Sequence, residues 1–206
     1  MKTPRILTLV GGISLGSINK KLFYAFKDVV GDEAELVLAD ISKLPFFSQD
    51  LENDPPDQVT FFKDQIRHAD AVLFITPEYN HSIPAVLKNA IDWATRPYPQ
   101  NLWDKIPVAT MGASVGNIGT FGAQNHLRAI LGYLNMYILN QPEFYMNGSE
   151  AFDQEGKLID GKSRMQIEKL WSAFKDWIEK HEQLKSGAVH HTMKSQGLED
   201  SPWVQH

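Results

Sequence analysis

The chain has 206 residues, of which 43% are hydrophobic, a net charge of −5 and no cysteine. This length and composition fit one domain with a sizeable core, and a mild negative charge without a basic stripe argues against a nucleic-acid partner. The absence of cysteine excludes disulfides, thiolate nucleophiles and cysteine-ligated metal centres. The apolar run at the amino terminus is shorter than a signal peptide or a membrane span requires, so we expect a cytoplasmic protein with no membrane association.

Short apolar runs alternate along the chain with segments of helical periodicity. Continuous apolar runs are typical of strands covered on both faces, and apolar residues spaced by three or four are typical of helices with one buried face. In chain order, we predict a strand at Arg5–Val10, a helix between Ile18 and Val29, a strand at Glu35–Asp40, a helix between Val59 and Ala69, a strand at Ala71–Thr76, a helix between Val86 and Ala94, a strand at Val108–Gly112, a helix between Leu127 and Leu134, a strand at Tyr137–Leu139 and a helix between Ile167 and Ile178.

This alternation of strands and helices predicts βαβ units with right-handed crossovers. The fold class is therefore α/β, a doubly wound parallel sheet of either the flavodoxin-like or the Rossmann-like kind. In such sheets a ligand binds at the carboxyl ends of the strands, where the strand order reverses. The loops that follow the first, third and fourth strands are therefore the candidate ligand site.

The first loop, Gly11–Asn19, contains several glycines and the polar side chains of Ser14, Ser17 and Asn19. It matches neither the dinucleotide-binding glycine pattern nor the Walker sequence. Backbone N–H groups, neutral donors and the positive end of a helix suit a phosphate monoester. The alternative is that Ser17 only caps the helix.

The second loop, Thr76–Pro84, combines an aromatic ring at Tyr79 with an amide at Asn80 and an imidazole at His81. Together with exposed backbone amides, these groups could contact a flat heterocycle.

The third loop, Gly112–Gly122, has four glycines in eleven residues. Glycine lets the backbone approach a ligand closely, so this loop also favours a binding role.

The composition changes after His181. We predict one domain at residues 1–181 and a carboxyl-terminal tail at residues 182–206, which is either flexible or docks on a partner. The tail histidines have no carboxylate or cysteine at ligand spacing, so we predict no metal site; these histidines are His190, His191 and His206.

The most specific motif spans the second loop and the helix after it. Pro77–Pro84 has the sequence PEYNHSIP and Leu87–Trp93 has the sequence LKNAIDW. These segments resemble the signature of the NADPH-dependent FMN reductase family, which includes flavodoxin-like quinone, azo-dye and chromate reductases. The resemblance extends from Ile6 to about Lys180. It implies a flavodoxin-like three-layer sandwich, with helices on both faces of a five-stranded parallel sheet in the order 2-1-3-4-5.

The resemblance also implies a non-covalent FMN, with NADPH or NADH as co-substrate. Hydride would pass from NAD(P)H to flavin N5 and on to a quinone, azo, free-flavin or metal-oxyanion acceptor by a ping-pong mechanism. The flavin carries this chemistry, so no catalytic side chain is expected. The implied cofactor-binding residues are Gly12, Ser14, Ser17, Asn19, Pro77, Glu78, Tyr79, Asn80, Ser114, Gly116 and Gly119. The implied substrate face is Tyr79, Asn80 and His81, and the implied assembly is a homodimer or homotetramer.

One departure from the family pattern lies in the first loop. The family loop usually has a serine where this chain has Gly12 and an arginine where it has Ser14. The phosphate therefore loses one hydroxyl and one cation. Because charge-assisted hydrogen bonds are stronger than neutral ones, we expect weaker FMN binding.

Two other functions fit a flavin-binding chain of this kind. One is a flavodoxin-like electron-transfer protein without a pyridine-nucleotide site, although the strongly acidic surface usual for such proteins is not expected at a net charge of −5. The other is a non-catalytic flavin-binding sensor. Oxidation of NADPH by the protein would distinguish the reductase from both.

Overall fold

A computed structural model of the protein describes residues 3–116 and 118–185. In that part of the chain, strands and helices alternate as predicted for most of its length. In chain order they are β1 (Arg5–Val10), α1 (Ile18–Val30), β2 (Glu35–Leu38), α2 (Asp57–Arg67), β3 (Ala71–Ile75), α3 (Ala85–Trp93), β4 (Pro107–Ser114), α4 (Phe121–Tyr133), β5 (Tyr137–Ile138), β6 (Tyr145–Asn147) and α5 (Gly161–Lys185).

The strands form a parallel sheet in the order β2-β1-β3-β4-β5. Leu7 of β1 pairs with Val37 of β2 on one side and with Val72 of β3 on the other. The strand order reverses at β1, because β2 lies on one side of it and β3 on the other. This order is that of flavodoxin-like folds, so the predicted fold class is confirmed.

Two apolar cores cover the two faces of the sheet. Leu7, Leu9 and Phe74 face the core that α2, α3 and α4 complete. Ile6 and Leu73 face the opposite core, which α1 and α5 complete. Alternate residues of one strand therefore enter different cores, and this explains why the strands are apolar without interruption.

The boundaries differ from prediction at several points. β2 ends at Leu38 rather than Asp40, and β4 extends in both directions to Pro107–Ser114. β6 was not predicted; it pairs with Gly112–Ser114 of β4, beyond the part of β4 that pairs with β5. The three residues of β6 contain no apolar run from which a strand could be predicted.

α5 continues past His181 to Lys185, so the first residues of the predicted tail are helical. The rest of that tail, with its three histidines, lies outside the described residues, and the domain boundary stays a prediction. Within residues 3–116 and 118–185, no helix has the length and apolar character needed to cross a membrane.

Candidate functional site

The first and second loops pack against each other at the carboxyl edge of the sheet. The Gly11 N–H donates to the Ile75 carbonyl at 2.9 Å, which carries the β1–β3 pairing into the loops. A Cβ on Gly11 would lie 3.2 Å from side-chain carbons of Pro77 and of Pro84. A larger residue at position 11 would therefore push the two loops apart.

Ser17 caps α1 and also limits what can stand at position 12. Its hydroxyl accepts the Lys20 N–H at 3.3 Å. A Cβ on Gly12 would lie 2.2 Å from that same hydroxyl oxygen. Ser17 therefore caps the helix, and its O–H proton remains for an anion. In this chain a side chain at position 12 would therefore displace the Ser17 hydroxyl from its capping position.

Asn19 supports the site through its side chain rather than facing a ligand with it. Its amide donates to the Ala113 carbonyl and accepts the Ala113 N–H, both at 2.9 Å. Asn19 is 3% exposed, so both ends of the amide are used in joining α1 to β4. For an anion, this residue offers its backbone N–H in the first turn of α1.

The exposed part of the first loop, residues 13–16, offers unbonded backbone donors. The N–H groups of these four residues form no hydrogen bond with another described residue. They precede the amino terminus of α1, where the helix dipole favours negative charge. This part of the first loop, which includes the exposed Ser14, therefore meets the requirements of a phosphate site.

The second loop contains a tight hairpin. Tyr79 and Ser82 exchange backbone hydrogen bonds of 3.0 Å. Between them, Asn80 and His81 have φ values of 51° and 61°. A two-residue hairpin turn with positive φ at both central positions is the type that matches strand twist, and asparagine adopts it readily. The turn thus holds Asn80 and His81 at its tip, which the sequence analysis did not predict.

Glu78 attaches this hairpin to α4. Its carboxylate accepts the Ala123 N–H in the first turn of α4 at 3.0 Å and lies 3.2 Å from Nδ1 of His81. Ser82 Oγ lies 2.8 Å from Nδ1 of His126, farther along the same helix. The Glu78 side chain therefore caps a helix from another loop. A signal for this was present, because the first turn of α4 contains no acidic residue of its own.

The third loop is closed by its own hydroxyl. Ser114 Oγ donates to the Gly119 carbonyl at 2.7 Å and accepts the Gly116 N–H at 3.1 Å. Gly119 has a φ of 63°, and a Cβ there would lie 3.0 Å from the backbone of Met146 in β6. The loop therefore needs glycine at position 119, and it packs on β6, the strand that was not predicted from the sequence.

A cavity of about 510 Å³ lies between the second and third loops. Val115 and Ile118 line it with exposed apolar surface, about 70% accessible in each case. Apolar walls with a few polar groups suit a flat aromatic ligand. Six of the predicted residues line this cavity, namely Glu78, Asn80, His81, Ser114, Gly116 and Gly119.

The other predicted residues lie outside the lining of that cavity. Pro77 is buried at the start of the second loop, and Tyr79 is 53% exposed on the hairpin. The remaining predicted residues belong to the first loop or the start of α1, and they are Gly12, Ser14, Ser17 and Asn19. Within the described residues, no group of three or more histidine and acidic side chains could hold a metal ion.

The sequence analysis also missed Lys20. This residue lines a second cavity, of about 390 Å³, together with Gly12 and Ile13 of the first loop and Asp40 and Ser42 after β2. Its position in the first turn of α1 was the available signal, because the first loop otherwise lacks a cation.

Comparison with known proteins identifies similar chains. A family model described as NADPH-dependent FMN reductase matches residues 4–151. The 2-hydroxy-1,4-benzoquinone reductase of a Burkholderia species is 39% identical over 175 residues, which cover 84% of this chain and 96% of that protein. An NAD(P)H-dependent FMN reductase of Pseudomonas aeruginosa is 41% identical over 176 residues, which cover 84% of this chain and 95% of that protein.

Among solved structures, a similar one is the flavoenzyme NAD(P)H:(acceptor) oxidoreductase FerB from Paracoccus denitrificans. It is 40% identical and superposes with a TM-score of 0.83. The match covers 87% of this chain and 99% of that one.

Gly12→Ala should destabilise the protein by about 1 kcal/mol, because the new methyl group forces the Ser17 hydroxyl away from the Lys20 N–H and removes the helix cap. Chemical denaturation measures this loss. Gly16→Ala is the matched control, since a Cβ there meets no atom within 4 Å. Equal effects of the two substitutions would contradict the steric account of Gly12.

Glu78→Ala should lower the free energy of unfolding by about 1–2 kcal/mol, because the Ala123 N–H loses a charge-assisted partner. Glu78→Gln should cost less, since the amide oxygen still accepts the bond. The control is His81→Ala, which removes a contact on the exposed side of the same carboxylate and should change stability little. If His81→Ala costs as much as Glu78→Ala, the helix cap is not what Glu78 contributes.

Proposed function

This chain is a member of the NADPH-dependent FMN reductase family, and from that premise we propose that it passes hydride from NAD(P)H through bound FMN to quinones and related small-molecule acceptors. The related acceptors are azo compounds, free flavin and metal oxyanions. The observation that carries the proposal is the arrangement of two complementary sites on one edge of the sheet. An anion site at the start of α1 lies beside loops that enclose a cavity for a flat ring.

The residues present fit the phosphate end of FMN. The backbone N–H groups of residues 13–16 have no competing acceptor among the described residues, and Ser17 retains a proton to donate. Ser14 is exposed beside them. We propose that these groups and the backbone of Asn19 bind the phosphate, with the dipole of α1 adding to the attraction.

The residues around the larger cavity fit the ring end. Val115 and Ile118 offer apolar surface to the ring, and Asn80 offers an amide at its rim. Ser114 holds the third loop closed through its hydrogen bonds with Gly116 and Gly119. The N–H groups of Gly116 and Gly119 are bonded within the loop, so we propose that those of Val115 and Ile118 stabilise the negative charge that collects on the ring when it is reduced.

When bound, FMN supplies the hydride chemistry. The protein residues position the ring and exclude water from one of its faces. The Glu78 carboxylate is used in capping α4, so it is not proposed as an acid or base. We propose Tyr79, Asn80 and His81 as the residues that contact the acceptor, because the hairpin holds them at the exposed side of the second loop.

We propose that donor and acceptor use the same cavity in turn, which gives ping-pong kinetics. Its volume of about 510 Å³ must also hold the flavin ring, so little space remains for two further molecules. The quinone class is supported by relatives such as the Burkholderia benzoquinone reductase. We also propose a homodimer or homotetramer that acts in the cytoplasm, on the basis of the family resemblance.

The purified protein should show a flavin absorbance band that bleaches on anaerobic addition of NADPH or NADH and returns when a quinone is added. Free FMN at the same concentration is the control for direct reduction. A coloured protein that NADPH and NADH leave unchanged would indicate an electron-transfer or sensor role instead. A colourless protein that does not take up FMN would contradict the proposal.

Parallel lines in double-reciprocal plots of initial rates would support alternating binding of donor and acceptor, and intersecting lines would refute it.

Ser14→Arg should tighten FMN binding by about tenfold, because it supplies a charge-assisted hydrogen bond to the phosphate. Ser14 is exposed, so the longer side chain meets no packing barrier. Ser14→Gln is the control for side-chain length without charge and should have little effect. Flavin fluorescence during dissociation gives the constants, and equal affinities for the two variants would mean that position 14 does not approach the phosphate.

A further inference from the structure

Lys20 occupies the third position of α1, directly behind the first loop. Its backbone N–H is bound by the Ser17 cap, which fixes the start of its side chain. Side chains of a helix lean toward the amino terminus and cover the preceding turn. The Lys20 side chain accordingly lines the cavity of about 390 Å³ that Gly12 and Ile13 border from the loop.

No carboxylate of the described residues lies within 4.0 Å of the Lys20 ammonium. The acidic residue in the cavity lining is Asp40, and its carboxylate is bonded to other residues. Lys43 Nζ lies 2.7 Å from Asp40 Oδ2, and Ser42 donates to the other oxygen at 2.6 Å. Hydrogen bonds from Lys43 and then Ser42 hold the pKa of Asp40 below its usual value. The charge of Asp40 is thus matched locally, and that of Lys20 remains to attract an anion.

We propose that Lys20 binds the FMN phosphate from behind the first loop and replaces the arginine that the loop lacks at Ser14. This inference rests on the proposed function. The phosphate would contact the backbone donors of residues 13–16 in front and the ammonium at the side of Gly12. A lysine on a flexible stem suits this task, because it acts as a point charge and does not need the planar geometry of an arginine.

The neighbouring lysine provides an internal contrast. Lys21 lies one position farther along α1, so its side chain points about 100° around the helix. Its ammonium lies 5.9 Å from the ring of Phe152, and its methylene groups pack beside Gly156. Lys20 and Lys21 therefore carry the same charge at nearly the same distance along α1 but face different surroundings.

The test compares Lys20→Met with Lys21→Met in holoprotein loaded with either FMN or riboflavin, which lacks the phosphate. The increase in flavin fluorescence on dilution gives each dissociation constant. Lys20→Met should raise the constant for FMN about five- to tenfold and leave that for riboflavin unchanged. Lys21→Met should leave both within about twofold, since its ammonium lies near the ring of Phe152 rather than in the cavity beside the first loop. Lys20→Arg should keep most of the FMN affinity.

Several outcomes would overturn the assignment. Equal weakening of FMN and riboflavin by Lys20→Met would indicate a structural role, and equal effects of both lysines would indicate only the general field of the helix. An unchanged FMN constant with a raised KM for NADPH would place Lys20 on the donor instead. Wild-type protein that binds neither flavin would refute the proposed function itself, whereas wild-type binding with no effect of Lys20→Met would refute this inference alone.

A double-mutant cycle tests whether Lys20 and a cation at position 14 contact the same phosphate. If Lys20 and a cation introduced at position 14 contact one phosphate, Ser14→Arg should recover most of the affinity in the Lys20→Met background, and the two effects should not add. Additive effects would mean that position 20 and position 14 act on different groups. Thermal denaturation of each variant verifies folding, and Lys20→Met should retain it because methionine has a helix propensity close to that of lysine.

Discussion

The carboxylate of Glu78 accepts the Ala123 N–H at 3.0 Å, and the geometry of the candidate site depends on this bond. It joins the second loop to the helix that follows the third loop. Among the described residues, the other hydrogen bond between this hairpin and α4 is that of Ser82 Oγ with His126 Nδ1. The two walls of the larger cavity belong to these two loops, so the bond sets the distance between them.

In the first loop, the side chain of Ser17 has more than one role. The Ser17 hydroxyl caps α1, would be displaced by a side chain at position 12 and still has a proton for an anion. Lys20 lines a cavity beside the same loop, and in our proposal it supplies from the helix the positive charge that the loop lacks.

The layered fold was predictable because its causes are local or periodic. Continuous apolar runs indicated buried parallel strands, and β1 was predicted with its observed bounds. α4 begins at Phe121, well before the predicted apolar face at Leu127, because its first turn is completed by Glu78 from another loop. β6 was not predicted because its three residues have mixed polarity and no strand pattern of their own. They form a strand through their pairing with β4.

The sequence by itself determined the parallel sheet, the three loops at its carboxyl edge and the family motif in the second loop, since glycine placement and apolar periodicity act over a few residues. Only the tertiary structure decided which polar groups of those loops remain for a ligand. The side-chain amide of Asn19 is hydrogen-bonded to Ala113, 94 residues away, and the carboxylate of Glu78 is hydrogen-bonded to Ala123, 45 residues away. Because a buried polar group must find a hydrogen-bond partner wherever the fold places one, a motif cannot by itself reveal which of its side chains are already paired.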